Sequence, residues 1–221
     1  MADRDLNGSV VAVVGATGGL GSGIADALES RGATVVRVNR SGGEGVELAV
    51  DVRDTGAGDT LVEHVMGRHG RLDGVVLASG IVAFGDLVDT DDVTIEELFL
   101  TNAMGPMWLA KRVAPALREA QGFFVNISGV VAESPMPGMA AYSASKAAAA
   151  AATEAIRREF RRMKVQVVDA RPPHTETGLA TRPLAGEAPK MPEGLAPSAV
   201  AERIVQAIVA GEPVVAPDAF S

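Results

Sequence analysis

The sequence contains no cysteine, one tyrosine, one tryptophan and three histidines among 221 residues. Without cysteine, disulfides and thiolate chemistry are excluded. The histidines, His64, His69 and His174, are too scattered to suggest a metal site. Aromatics make up only 4% of the chain, so Ala, Val, Leu and Ile must fill the core. Basic residues are outnumbered, 20 Lys+Arg against 28 Asp+Glu, for a net charge of −8. Such a surface repels phosphate backbones and anionic lipid. No basic run with interleaved aromatics occurs, so nucleic acid is not expected as a partner. No apolar stretch resembles a membrane span, and Met1 to Asn7 is polar, without the apolar core of a signal peptide. A cytoplasmic protein without a membrane partner is expected.

What is plentiful is glycine, at 25 residues, and aliphatic sequence. Val10–Val14, a short apolar run ending in glycine, predicts a buried strand. Thr34–Val38, Val46–Val50, Gly74–Ala78, Phe123–Ile127 and Val165–Ala170 predict further strands, and Pro213–Ala216 a last short one. Between Gly21 and Arg31, helical spacing puts Ile24, Ala25 and Leu28 on one face. Asp59–Gly67, Thr94–Ala120, Ala140–Met163 and Ala199–Ala210 also read as helical, with Pro106 and Pro115 expected to kink the second of these. Strands and helices alternate, and the strands are continuous apolar runs. That pattern predicts an α/β fold: one Rossmann-like, doubly wound parallel sheet with helices on both faces. No linker or repeat divides 1–221, so a single domain is expected. The irregular Pro- and Gly-rich segment 172–197 predicts a substrate lid.

The first turn reads Val14-Gly15-Ala16-Thr17-Gly18-Gly19-Leu20-Gly21. Gly15 permits a tight turn, Gly19 lets backbone approach a pyrophosphate, and Gly21 lets helix and strand pack closely. The helix N-terminus then offers N–H groups and a positive dipole end to phosphates. At the end of the second strand, where NAD sites carry an acid, stands Asn39-Arg40-Ser41. Arg40 can pair with a 2′-phosphate and Ser41 can donate to it. NADP(H) is therefore the expected cofactor, with NAD(H) the alternative. Asp51, ending the third strand, can accept a hydrogen bond from an adenine amine or simply cap its loop.

At the start of the Ala-rich helix stands Tyr142-Ser143-Ala144-Ser145-Lys146. Residues four apart share a helical face. A nearby ammonium favours a phenolate and is expected to pull the phenol toward neutrality, so that it exchanges a proton at neutral pH. Tyr142 is the only phenol available. The plainer alternative is an amphipathic helix with a half-buried Tyr and a snorkelling Lys.

Over essentially its whole length the chain resembles the short-chain dehydrogenase/reductase family. The glycine loop resembles the family's TGxxxGxG, with Val14 in place of Thr; Tyr142 and Lys146 match its YxxxK. Asp51-Val52 resembles its adenine-binding Asp, and Asn102 its proton-relay Asn. Ala78 and Gly80 fall in the segment corresponding to NNAG, and Pro172 to Thr177 resembles the PGxxxT stretch that cradles nicotinamide. The resemblance implies hydride transfer between nicotinamide and a small carbonyl or alcohol substrate. In that scheme Tyr142 handles the hydroxyl proton, Lys146 lowers the Tyr pKa and holds the nicotinamide ribose, and a Ser polarises the substrate oxygen.

The chain departs from the pattern at that Ser. The family commonly places it thirteen residues before the Tyr, which here is Gly129, not Ser128. Adjacent strand residues point to opposite faces, so Ser128 fills the role only if the strand end bulges; Ser134 is a weaker substitute. The segment corresponding to NNAG reads Leu77-Ala78-Ser79-Gly80, and Pro173 replaces the Gly of PGxxxT. These departures support a competing reading, a non-catalytic NADP(H)-binding regulator or sensor. A sugar epimerase or dehydratase is disfavoured by the short lid region. Small side chains along Ala140–Ala152 let helices approach closely, and a homodimer or homotetramer is expected.

Overall fold

Runs of β-branched and apolar residues set the centre of the molecule, because side chains on a strand alternate between two faces and both must be buried. The computed structural model describes residues 3–220 and contains one seven-stranded parallel sheet in the order β3-β2-β1-β4-β5-β6-β7. The strands are β1 Val10–Val14, β2 Thr34–Asn39, β3 Leu48–Ala49, β4 Gly74–Leu77, β5 Phe123–Ile127, β6 Gln166–Ala170 and β7 Val214–Val215. The helices are α1 Gly19–Glu29, α2 Ala57–His69, α3 Asp92–Phe99, α4 Gly105–Ala120, α5 Ala140–Phe160 and α6 Pro197–Ala210. On β1, Val10, Ala12 and Val14 join one apolar layer with α2 and α4; Val11 and Val13 join the opposite layer with α1 and α6.

Helix α1 opens on Gly19 and contains Gly21 and Gly23; a glycine costs about 1 kcal/mol in a helix interior. Ile24 and Leu28, both fully buried, each contribute about 1.5–3 kcal/mol and offset that cost. The glycines serve packing: a Cβ on Gly21 would lie 2.1 Å from the Gly15 carbonyl oxygen, and one on Gly23 would lie 3.1 Å from Ala201 Cβ of α6.

Two expected elements differ. The long helical stretch is interrupted not at a proline but at a π-helical turn, Leu100–Met104. Gly105 follows because a Cβ there would lie 2.7 Å from the Val52 carbonyl oxygen. Pro106 is the second residue of α4, which runs on directly from the π-helical turn. The third strand shrinks to Leu48–Ala49, an edge strand paired with only Val38 and Asn39. The glycines before it, Gly42, Gly43 and Gly45, all have positive φ and hold the chain in a loop.

The strand order reverses between β1 and β4. At such a switch point the two loops leave in opposite directions, and a crevice opens beyond the carboxyl ends of the strands. Gly15, Ser79 and Gly80 all lie at that end.

Candidate active site

The glycine loop forms a cradle. Gly15 has φ +90, and a Cβ on it would lie 2.6 Å from the Ser79 backbone nitrogen. A Cβ on Gly19 would lie 3.0 Å from Thr177 Cα, so the loop faces the 172–177 segment closely. No side chain caps α1, whose N-cap is Gly18, and its first turn contains no acid. Such an end suits a phosphate. Beside it Ser79 Oγ is buried, the one such side-chain atom among the described residues without a hydrogen-bond partner. These features fit a dinucleotide pyrophosphate.

A cavity of about 250 Å³ adjoins the loop, lined by Ala16, Thr17, Ser22, Arg37, Glu44 and Gly45. It lies at the dinucleotide end, not at Tyr142. Asn39 braces its rim: Nδ2 donates to Thr17 Oγ1 at 3.1 Å, and Oδ1 accepts from the Ser41 and Gly42 amides. Arg40 is exposed and lies close enough to Asp51 to lower its pKa. Asp51 is held chiefly by Arg53, whose guanidinium bonds it at 2.6 Å and keeps its carboxyl below the usual range. Sequence reasoning missed two residues here. Glu44 brings a carboxylate to the cavity, although the Asn39-Arg40-Ser41 stretch has none. Arg37, also on the wall, is already paired with Asp26 and Glu29. Neither has a local signal, because both depend on the path of the β2–β3 loop.

At the other end the structure brings Asn102, Gly80 and Lys146 together, with Tyr142 one turn before Lys146 on α5. The π-helical turn carries Asn102, which is buried. Its Oδ1 accepts from the Ile81 amide at 3.0 Å, and its Nδ2 donates to the Ile81 carbonyl and to Ser145 Oγ. Ser145 in turn donates to the Tyr142 carbonyl at 2.7 Å. Asn102 thereby ties the loop after β4 to the first turns of α5. Ser145 was not singled out from sequence; a fully buried serine between Tyr142 and Lys146 becomes visible only once the helix face is known. A Cβ on Gly80 would lie 3.3 Å from Asn102 Oδ1 and 3.5 Å from Lys146 Nζ, so both polar groups meet over this glycine.

Lys146 is buried and donates to the Ile127 carbonyl at 2.8 Å. Burial pushes its ammonium down to about 8, against the opposing pull of Asp169. Tyr142 is partly buried, and burial pushes its phenol up to about 12. The expected drop toward neutrality is absent here: burial desolvates the phenolate, and Lys146 does not offset it.

Ser128 is not brought to this group. It is fully buried, and its Oγ donates to Asp169 Oδ1 at 2.6 Å. Arg171 Nε holds the other Asp169 oxygen at 2.7 Å and also pairs with Glu133. Gly129 adopts φ +88, a conformation a serine rarely takes. Ser134 lies exposed on the following loop.

The family described as short chain dehydrogenase matches residues 9–187. The chain is 31% identical over 219 residues to ketoacyl reductase HetN of Nostoc sp., covering 92% of this chain and 76% of that protein. It is 33% identical over 173 residues to 11-beta-hydroxysteroid dehydrogenase A of Sesamum indicum, covering 71% of this chain and only half of that protein. Among solved structures, a short chain dehydrogenase from Burkholderia cenocepacia J2315 in complex with NADP superposes with a TM-score of 0.82 at 25% identity, covering 97% of this chain and 90% of that one.

Proposed function

Because the chain belongs to the short-chain dehydrogenase family, we propose that it is an NADP(H)-dependent oxidoreductase that interconverts a small carbonyl compound and its alcohol. The observation that carries this reading is the convergence of Asn102 and Lys146 over Gly80, with Tyr142 one turn before Lys146. A regulatory binder has no need of that arrangement.

A bound nicotinamide dinucleotide would supply or accept the hydride. Gly15, Gly19, Gly21 and the N-terminus of α1 would hold its pyrophosphate, with Thr17 and Leu20 on the same turn. Asp51 and Val52 would face the adenine. Ala78, Gly80, Pro172 and Thr177 would line the nicotinamide half. Arg40, exposed, and Ser41 would hold a 2′-phosphate. An ammonium has three donors; one Lys146 hydrogen goes to Ile127, leaving two for ribose hydroxyls. Asn102 and Ser145 fix the start of α5 and so aim the Tyr142 phenol. A phenol pushed up to about 12 keeps its proton at neutral pH. It is thus poised to donate that proton to a carbonyl oxygen, the direction of reduction.

A second reading, a non-catalytic dinucleotide binder, is favoured by Ser128 facing Asp169 and by the glycine at 129. One experiment separates the two. NADPH and NADH binding is measured by reduced-nicotinamide fluorescence in wild type, Arg40→Ala and Tyr142→Phe, followed by turnover of a carbonyl panel. We expect NADPH to bind more tightly, with the preference lost in Arg40→Ala. Turnover should vanish in Tyr142→Phe while binding survives. Tighter NADH binding would assign the selectivity to Glu44 instead. Turnover that persists in Tyr142→Phe would remove the phenol from the chemistry. Homo-oligomerisation through the Ala-rich face of α5 and a lid formed by 172–197 are part of the same proposal.

A further inference from the structure

The surroundings of Tyr142 bear on what it meets. Val82, Phe84 and Met139 form a small buried apolar cluster, and Tyr142, Leu179 and Ala180 pack against it. Val82 and Phe84 follow β4, and Met139 immediately precedes α5. Leu179 and Ala180 belong to the 172–197 segment, which backbone hydrogen bonds fasten here: the Leu184 amide donates to Val82 at 2.7 Å, and the Phe84 amide to Ala185 at 3.0 Å.

The charged side chains of that segment are engaged elsewhere or exposed. Arg182 Nε donates to the Gly178 carbonyl at 3.1 Å. His174 Nε2 lies 3.2 Å from Glu176 Oε1, which also accepts from the Gly194 amide. Glu187 and Lys190 are exposed. A carboxylate or phosphate brought to Tyr142 would lose water and meet apolar side chains, which is unfavourable when no partner replaces the water. The donor count is also reduced, since Ser128 is committed to Asp169 and position 129 has no hydroxyl. Loss of one such donor costs about 10²–10³ in rate, a deficit smallest for a carbonyl that is already strongly electrophilic.

We propose that this site takes uncharged, apolar aldehydes in preference to charged, polyhydroxylated or ketonic carbonyl compounds. The inference rests on the reductase reading above. In the step, the aldehyde carbon accepts a hydride from reduced nicotinamide dinucleotide as the C=O π bond breaks. The oxygen takes the Tyr142 proton, and water reprotonates the phenolate. The aldehyde is reduced to a primary alcohol and the dinucleotide is oxidised.

The test compares p-tolualdehyde, p-carboxybenzaldehyde and p-methylacetophenone with the full chain and its preferred cofactor, reading kcat/KM. We expect p-tolualdehyde to exceed each of the others by about tenfold or more. Leu179→Arg, which places a cation beside the phenol, should move the preference toward p-carboxybenzaldehyde. Equal or inverted selectivity in wild type, with turnover that still requires Tyr142, overturns this inference and leaves the reductase reading standing. Cofactor binding without turnover of any of the three overturns the reductase reading, and the inference falls with it.

Discussion

Replacing Ser128 by Ala removes one hydroxyl from a site that water does not reach. That hydroxyl donates to Asp169 at 2.6 Å, in a pocket where Asp169 is itself only 3% exposed. Arg171 remains on the other carboxylate oxygen, so Asp169 loses one partner and keeps one. A hydrogen bond to a charged group contributes about 1.5–3 kcal/mol. For a chain of this size that corresponds to a Tm lower by about 3–12 °C. Burial already raises the Asp169 carboxyl, and Ser128 is the first of the groups that pull it back down. Deletion of the hydroxyl therefore costs most where Asp169 is ionised, and the loss should grow as pH rises through its elevated titration range. Urea unfolding at several pH values reads the stability, and turnover of a reactive aldehyde reads the chemistry. A structural Ser128 predicts the stability loss together with a kcat that changes by only a small factor. A fall in rate of about 10² or more with unchanged stability would place the hydroxyl on the substrate oxygen and refute the geometric argument.

Tyr142 is the only tyrosine, so near-ultraviolet absorbance titrates it alone. In the cofactor-free protein little phenolate should form at pH 10, with the midpoint near 12; an ordinary midpoint would show that burial does not control it. The fold holds this proton after the unfolded chain has released its own, so the stability it contributes is lost as pH rises through that range. Lys146 has the opposite sign. Its folded value, about 8 against 10.5, means that the unfolded chain binds more protons between those limits, so stability rises with pH there. The full effect is about 3 kcal/mol. Lys146→Met should flatten that rise in a pH series of denaturant melts while abolishing turnover. Asn102→Ala leaves the Ile81 amide and carbonyl and Ser145 without their partner and should cost about 2–4 kcal/mol by urea unfolding.

The parallel sheet, the glycine loop and the Tyr142–Lys146 pair were legible in the amino-acid order, because each follows from spacing along one element. Val10–Val14 must be buried on both faces whatever surrounds it, and Gly15 must turn tightly wherever the strand ends. Asn102 stood out in the amino-acid order, but its hydrogen bonds did not. Its partners, Ile81 and Ser145, stand 21 and 43 residues away, and a π-helical turn that no periodicity announces aims it at them. The hydrogen bond of Ser128 was hidden for the same reason: its partner Asp169 is 41 residues away on the neighbouring strand. Glu44 reached the cavity by the course of a glycine-rich loop. The direction of the Tyr142 shift was also a tertiary matter. Sequence places an ammonium one turn away, whereas burial beside Val82, Phe84, Met139 and the 172–197 segment sets the shift. Period, turn chemistry and residue type act within a few residues and can be read along the chain. Desolvation and long-range hydrogen bonds depend on which distant segments close over a group, and only the assembled structure decides that.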